Sequence, residues 1–299
     1  MDSNFNKETN NLSPIVIFCC KRPNKLNNLL VSLESNLEFK NSDLYFYVDN
    51  VDNEIDKTLH DQVLVVINKN WDVMSKNIYI RDEKFGLKKN IISGINQTFE
   101  RFEKAIFLED DLVVGKQFLN FMNSSLEIYK NQKKVMHISG YNFPTFFGDR
   151  KSAYFSIYMN CWGWATWRDR WKLNNNFSKN IISDLSDNDR RKFNVFGLEK
   201  DYESQLIRNS VGILESWAIY WTQFIFLNEG VCLQPIKSLV DNQGNDSQAQ
   251  NSSIMNFYRT KINQNKIDKF PKKIKVKKFY LLQIVIFFIY KKIRKKLKL

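Results

Sequence analysis

Histidine is scarce in this chain of 299 residues: His60 and His137 stand alone, too few and too scattered to build a zinc site. The four cysteines, Cys19, Cys20, Cys161 and Cys232, show no metal-ligand spacing. Cys19 and Cys20 fall inside an expected strand, so reduced, structural cysteines in a cytoplasmic protein are the simplest expectation. Met1 to Leu12 forms a polar, Asn-rich tail without the apolar core of a signal peptide, which argues against secretion. No internal repeat is present. The most apolar run, Phe279 to Tyr290, has twelve residues, whereas a helix needs about 20 to span a bilayer.

Positive charge is plentiful, with a formal net charge of +13, but it is not spread over the chain. Residues 261–299 carry 14 of the 45 Lys and Arg and a single acid, Asp268. The rest is neutral. A nucleic-acid groove needs basic residues over the folded body, so no nucleic-acid partner is expected. The Phe279–Tyr290 run is flanked by Lys277, Lys278, Lys291, Lys292, Arg294, Lys295, Lys296 and Lys298. As a helix it would lie in a membrane interface with its lysines on anionic headgroups; the plainer alternative is a buried C-terminal helix with a solvated basic end. Residues 256–299 are accordingly expected to form a basic, amphipathic, membrane-associating tail that holds the protein at the cytoplasmic membrane face.

Within the neutral body, Glu109, Asp110 and Asp111 interrupt the apolar sequence from Ile106 to Val114. The flanks read as a buried strand. A carboxylate at its end is costly unless paired, hydrogen-bonded or bound to a cation. A divalent metal carrying a phosphorylated substrate would satisfy all three, since hard oxygen ligands suit Mg²⁺ or Mn²⁺. The alternative is a strand that stops at Leu108 and a solvated turn.

The first half alternates strands and helices. Strands are expected at Ser13–Cys20, Leu44–Val48, Val63–Ile67 and Ile78–Ile80, with helices after Pro23 and from Leu87 to Phe102. This order predicts an α/β fold with a doubly wound, mostly parallel sheet, whose ligands sit beyond the carboxyl ends of the strands. Asp49 and the acidic triplet both lie at such ends. Further on, a helix is expected over Phe118–Tyr129 and a strand over Val135–Ser139. Trp162, Trp164, Trp167 and Trp171, four of the seven tryptophans, fall within ten residues, either as core or as platforms for rings. Glu215–Leu227 reads as a helix, and Asp241–Ser253 as a polar loop.

Seven stretches in order resemble nucleotide-sugar glycosyltransferases of GT-A fold. They are Cys20-Lys21-Arg22-Pro23, Val48-Asp49, Gly86-Leu87-Lys88-Lys89-Asn90, Glu109-Asp110-Asp111, Ser139-Gly140-Tyr141-Asn142, the Trp162–Trp167 block, and Ser216-Trp217-Ala218-Ile219-Tyr220-Trp221. The chain is similar to bacterial family-2-like surface-glycan transferases of lipopolysaccharide or capsule synthesis, and to the Golgi N-acetylglucosaminyltransferase that starts complex N-glycans. The resemblance covers residues 13 to about 250. It implies a mixed, mostly parallel Rossmann-like sheet over residues 13–255, with a nucleotide-binding half (13–114) and an acceptor half (115–255).

It also implies roles. Asp111 would hold a divalent metal, Mn²⁺ or Mg²⁺, on the diphosphate of the donor, most simply a UDP-sugar. Glu109 and Asp110 would contact ribose or sugar hydroxyls and waters, Arg22 the diphosphate, and Asp49 the base or ribose. Glu215 would be the general base of an inverting hexosyl or N-acetylhexosaminyl transfer to a surface-glycan or lipid-linked acceptor, with Asp201 and Glu203 as runners-up. Trp162, Trp164 and Trp217 would shape the acceptor site. One departure stands out: the resembled bacterial proteins tend to carry a His after the base segment, but Asp241–Ser253 has none, so that metal binding would rest on Asp111 and the nucleotide or a neighbour such as Asp246 would replace the His. Two rivals remain: a sugar nucleotidyltransferase, disfavoured because no Gly-rich basic loop follows the first strand, and a non-catalytic glycan-binding or membrane scaffold on a degenerate transferase fold.

Overall fold

The computed structural model describes residues 12–145, 147–174, 185–198, 201–244 and 257–297. The chain opens with β1 (Ile15–Cys19), whose five residues are all buried. Pro23, pre-set for a first helical turn, starts α1 (Pro23–Glu34), and Leu26, Leu29, Leu30 and Leu33 form its buried face. Each such leucine contributes roughly 1.5–3 kcal/mol by leaving water. Next come β2 (Asp43–Val48), α2 (Glu54–Asn68) and β3 (Ser75–Ile80). The strand expected at Val63–Ile67 is instead the end of α2. Val63, Val66 and Ile67 are buried there while Val65 is 66% exposed, a helical period carried by β-branched residues.

Gly86, at φ +74°, turns the chain into α3 (Leu87–Arg101), which leads to β4 (Lys104–Glu109). A two-residue turn, Asp110 and Asp111, separates β4 from the short β5 (Leu112–Val114). Then follow α4 (Phe118–Ile128), β6 (Val135–Ser139), β7 (Ala153–Ser156), β8 (Trp164–Trp167), α5 (Arg168–Lys172), α6 (Asp187–Phe193), α7 (Asp201–Ser210), α8 (Ala218–Leu227), β9 (Val231–Pro235), β10 (Val240–Asn242) and α9 (Lys278–Leu297). Helix α8 begins at Ala218, so Glu215 precedes the helix rather than opening it.

Eight strands form one sheet in the order β3-β2-β1-β4-β8-β6-β9-β7. The β3-β2-β1-β4 half is parallel, as is β6-β9; β8 runs antiparallel to β4 and β6, and β7 to β9. This is the mixed α/β architecture that the resemblance implies. Alternate residues of β1 face opposite cores: Ile15, Ile17 and Cys19 pack with α1, whereas Val16 and Phe18 pack with α3 and the tryptophans. Strand β1 is followed in the sheet by β2 on one side and β4 on the other. The crevice at this switch point lies beyond Cys19 and Glu109.

A separate antiparallel ribbon is formed by β5 with β10, pairing Asp241 with Val113 and Asn242 with Leu112. The C-terminal segment is packed onto the body: Ile267, Ile284, Phe287 and Phe288 belong to the larger core, and Phe143 stacks on Phe287 at 5.2 Å. The sequence boundary at residue 256 therefore does not mark an appendage free of the fold.

Candidate active site

The acidic triplet closes one end of a crevice of about 370 Å³. Glu109 ends β4 in register with Phe18 of β1, and Asp110 and Asp111 form the turn beyond it. Across the gap, Arg22 sits immediately before α1. Its Nη1 lies 2.8 Å from Asp111 Oδ2 and 3.7 Å from Asp110 Oδ1. The β5–β10 ribbon adds Asn242, whose Nδ2 is 3.5 Å from Asp111 Oδ1, while the Gln243 amide donates to the Asp111 carbonyl. Gly244 is required by closeness: an added Cβ would fall 2.1 Å from Asp111 Oδ2.

These carboxyls are poorly compensated. Burial, then the charges of Asp111 and Asp110, push Glu109 up to about 8. Burial and Asp111 push Asp110 up to about 7, against the pull of Arg22, the Cys20 amide and Lys25. Asp111 is also raised by burial, although Arg22 opposes it. Three acids thus share a pocket in which, among the described ion pairs, Arg22 is the cation at contact distance. Added positive charge would lower all three.

Hard carboxylate oxygens under this strain fit a divalent cation in their donor chemistry. Among the described residues no three His, Cys, Asp or Glu side chains form a complete metal-ligand set. A cation held here would therefore rest on Asp111 and draw its remaining ligands from water or a bound phosphate, as Mg²⁺ commonly does. Asp246 lies outside the described residues. Asp241 is turned away, its Oδ2 2.7 Å from Arg259 Nε.

Asp49 lines the other wall. Its Oδ1 accepts from the Phe85 and Asn50 amides (2.7 and 3.0 Å) and its Oδ2 from the Gly86 amide (2.9 Å). The carboxylate fixes the turn that starts α3, so a nucleotide would meet an acid already engaged by backbone. Asn90 of the same motif bonds the Tyr47 carbonyl and the buried Arg81, tying α3 to β2. Glu215 is exposed and stands over this turn, where a Cβ on Gly86 would come 3.2 Å from its Oε2. The Glu215 carboxylate supports the charged form of Lys88, whose pKa is lowered by burial.

Of the aromatic candidates, Trp162 lines the crevice, edge-on to Tyr141 at 4.5 Å. Trp164 and Trp217 do not: both are buried and stacked on each other at 5.2 Å in the core beneath α3 and α8. Their large apolar faces are used up in packing, the alternative the sequence left open. Glu203 accepts from Asn194 Nδ2 at 2.9 Å and pairs loosely with Arg190. The Asp201 side chain lies outside the described residues.

Sequence reasoning missed Lys25, whose Nζ donates to the Gln243 carbonyl at 2.7 Å and pins the ribbon to α1. Its place one turn after Arg22, on the same helical face, was the available signal. It also missed Lys21, paired with Asp56 at 2.5 Å, and the approach of Asn242 and Gly244 to Asp111; these contacts join distant segments and leave no local pattern.

No known family's sequence model matches the chain, and no curated protein matches it. Among solved structures it is similar to S. aureus TarS residues 1–349, with 12% identity and a TM-score of 0.40 over 64% of this chain and 56% of that one. A longer S. aureus TarS structure aligns at 13% identity and a TM-score of 0.36, covering 64% of this chain and 34% of that one. The chain thus spans about half, or less, of these two solved chains. Function is read from the crevice's own residues.

Proposed function

We propose that the chain is a glycosyltransferase that moves a sugar from a nucleotide-diphospho-sugar to a glycan or lipid-linked acceptor, with inversion. The observation that carries this reading is the triplet of under-compensated carboxyls facing Arg22 at the sheet's switch point. A guanidinium can hold a diphosphate by paired hydrogen bonds, and a diphosphate that brings a cation supplies the charge the acids lack. A divalent metal on Asp111 would neutralise charge on the departing diphosphate. Arg22 would leave its pairing with Asp111 for the phosphate, and Lys25 would keep the ribbon closed over it. Glu215, exposed at the rim, would take the proton from the acceptor hydroxyl, with Trp162 beside the acceptor ring.

The test is turnover of a panel of nucleotide-sugars followed by mass spectrometry. Glu215→Gln is expected to lower transfer by about 10²–10⁴-fold while leaving donor binding intact. Unchanged transfer removes Glu215 from the role, and no turnover of any donor, with binding retained, favours the non-catalytic scaffold.

The reading extends to an anionic membrane surface. Among the described residues no helix is long and apolar enough to cross a membrane. Helix α9 instead has two apolar faces: Ile284, Phe287 and Phe288 are buried in the core, while Phe279, Leu282, Ile286, Ile289 and Ile293 form an exposed stripe at alternating spacings of three and four. Basic residues flank the stripe. Anionic headgroups complement them, whereas a second copy would bring like charges together. Because the other face is core, deleting the helix would disturb the fold; Leu282→Glu with Ile286→Glu is the cleaner change. Loss of sedimentation with phosphatidylglycerol vesicles is expected, and retained sedimentation would contradict the tether.

A further inference from the structure

Strand β10 separates two cavities. Asn242 points toward Asp111 in the crevice, and the preceding Asp241, on the opposite face of the ribbon, meets Arg259 and the Thr260 amide. On that second side lies a cavity of about 220 Å³, lined by Arg150, Lys237, Arg259 and Lys261, with Phe143 and Pro144 as an apolar wall.

The acids nearby are committed elsewhere. Asp241 is 2.7 Å from Arg259, and Asp149 bonds Lys269 at 2.7 Å together with the Ser152 hydroxyl and the Lys151 amide. Among the described ion pairs, no carboxylate faces Arg150, Lys237 or Lys261. Lys237 donates to the Thr145 carbonyl at 2.6 Å, and its pKa is lowered by burial and by the Arg150 charge. The hydroxyl protons of Thr145, Ser238 and Thr260 already go to backbone carbonyls, so the donors open to a ligand sit on the cations. The floor is firm: Asn263 donates to the Arg150 carbonyl, and its own amide donates to the Ser238 carbonyl.

We propose that this cavity binds the phosphate group of a phosphate ester. A phosphate anion relieves like charges held together, arginine forks match phosphate oxygens, and the space exceeds a bare phosphate, leaving room for the esterified alcohol against Phe143 and Pro144. The site does not depend on the transferase reading, since none of its residues belongs to the crevice.

The phosphate's source is either a soluble or glycan-borne ester or a lipid headgroup. The full chain is titrated calorimetrically with glycerol 3-phosphate at low salt, in the absence and presence of phosphatidylglycerol vesicles. The double variant Arg150→Ser, Lys261→Ser alters two exposed side chains and should fold; Arg22→Ala reports the crevice. Glycerol phosphate binding is expected to weaken at least about tenfold in the double variant and to persist in Arg22→Ala. Glycerol phosphate binding that is competed away by the vesicles assigns the phosphate to a lipid, and binding indifferent to them to a soluble or glycan ester. The proposal is overturned if glycerol phosphate does not bind, if the double variant binds it as well as the native chain, or if Arg22→Ala abolishes binding.

Discussion

The carboxylate crevice and the tryptophan core both hold buried polar groups among aromatics, yet they are completed differently. In the core, His137 is fully buried, its Nε2 donates to the Asn160 carbonyl at 2.9 Å, and its Nδ1 accepts from Trp221 Nε1 at 3.2 Å. The ring stacks on Trp164 at 5.1 Å. Both nitrogens are satisfied and the imidazole is neutral. In the crevice, three acids face Arg22 and are driven toward their protonated forms. Buried polarity that the protein completes by itself is architecture; buried polarity left short of charge is shaped for something that arrives.

Trp164→Ala breaks this comparison most severely if the core reading holds. Loss of a fully packed indole is expected to cost about 3–5 kcal/mol in urea unfolding. A variant with native stability but poor transfer would return Trp164 to the acceptor site.

Next is acid sensitivity. Burial holds the His137 pKa down to about 3, with the Asn160 carbonyl opposing. The folded value is depressed, so the stability it contributes is present above about 6.5 and is lost as pH falls toward 3. Unfolding takes up one extra proton, worth about 1.4 kcal/mol per pH unit below about 6. His137→Gln should flatten the stability slope between pH 6 and 4.5 relative to the native chain, both measured by urea unfolding. Equal slopes would mean that the ring is not neutral in the fold.

The smallest effect has the opposite sign. Glu109, pushed up to about 8, is a raised acid: its favourable share is complete below the unfolded value and disappears as pH rises through 8. Glu109→Gln is therefore expected to stabilise the ligand-free protein at pH 8 by on the order of 1–2 kcal/mol, with little difference at pH 4.5. A destabilised variant at pH 8 would show that the crevice is already complete without a ligand.

Much of the first half was legible because parallel strands are continuous apolar runs. Ile15–Cys19, Asp43–Val48 and Lys104–Glu109 each announce themselves, and the acids stand out by interrupting one. The end of α2 was not, because Val-Leu-Val-Val-Ile has strand composition and helical burial at once. Arg22 with Asp111 was expected only as a shared crevice; the ion pair, the Lys25 clamp and the ribbon that brings Asn242 across depend on pairing residues far apart in the chain. The tryptophans carried no sign of which face was wet. Trp162 lines the crevice and Trp164, two residues on, is core, a difference set by where β8 begins.

The central claim, that the crevice takes a nucleoside diphosphate with its cation, is tested most directly by isothermal titration of nucleoside diphosphates with and without Mn²⁺ against the native chain and Asp111→Ala. The expected result is metal-dependent binding of at least one nucleotide that Asp111→Ala abolishes. Absence of binding to every nucleotide, or binding indifferent to both the metal and Asp111, would contradict it.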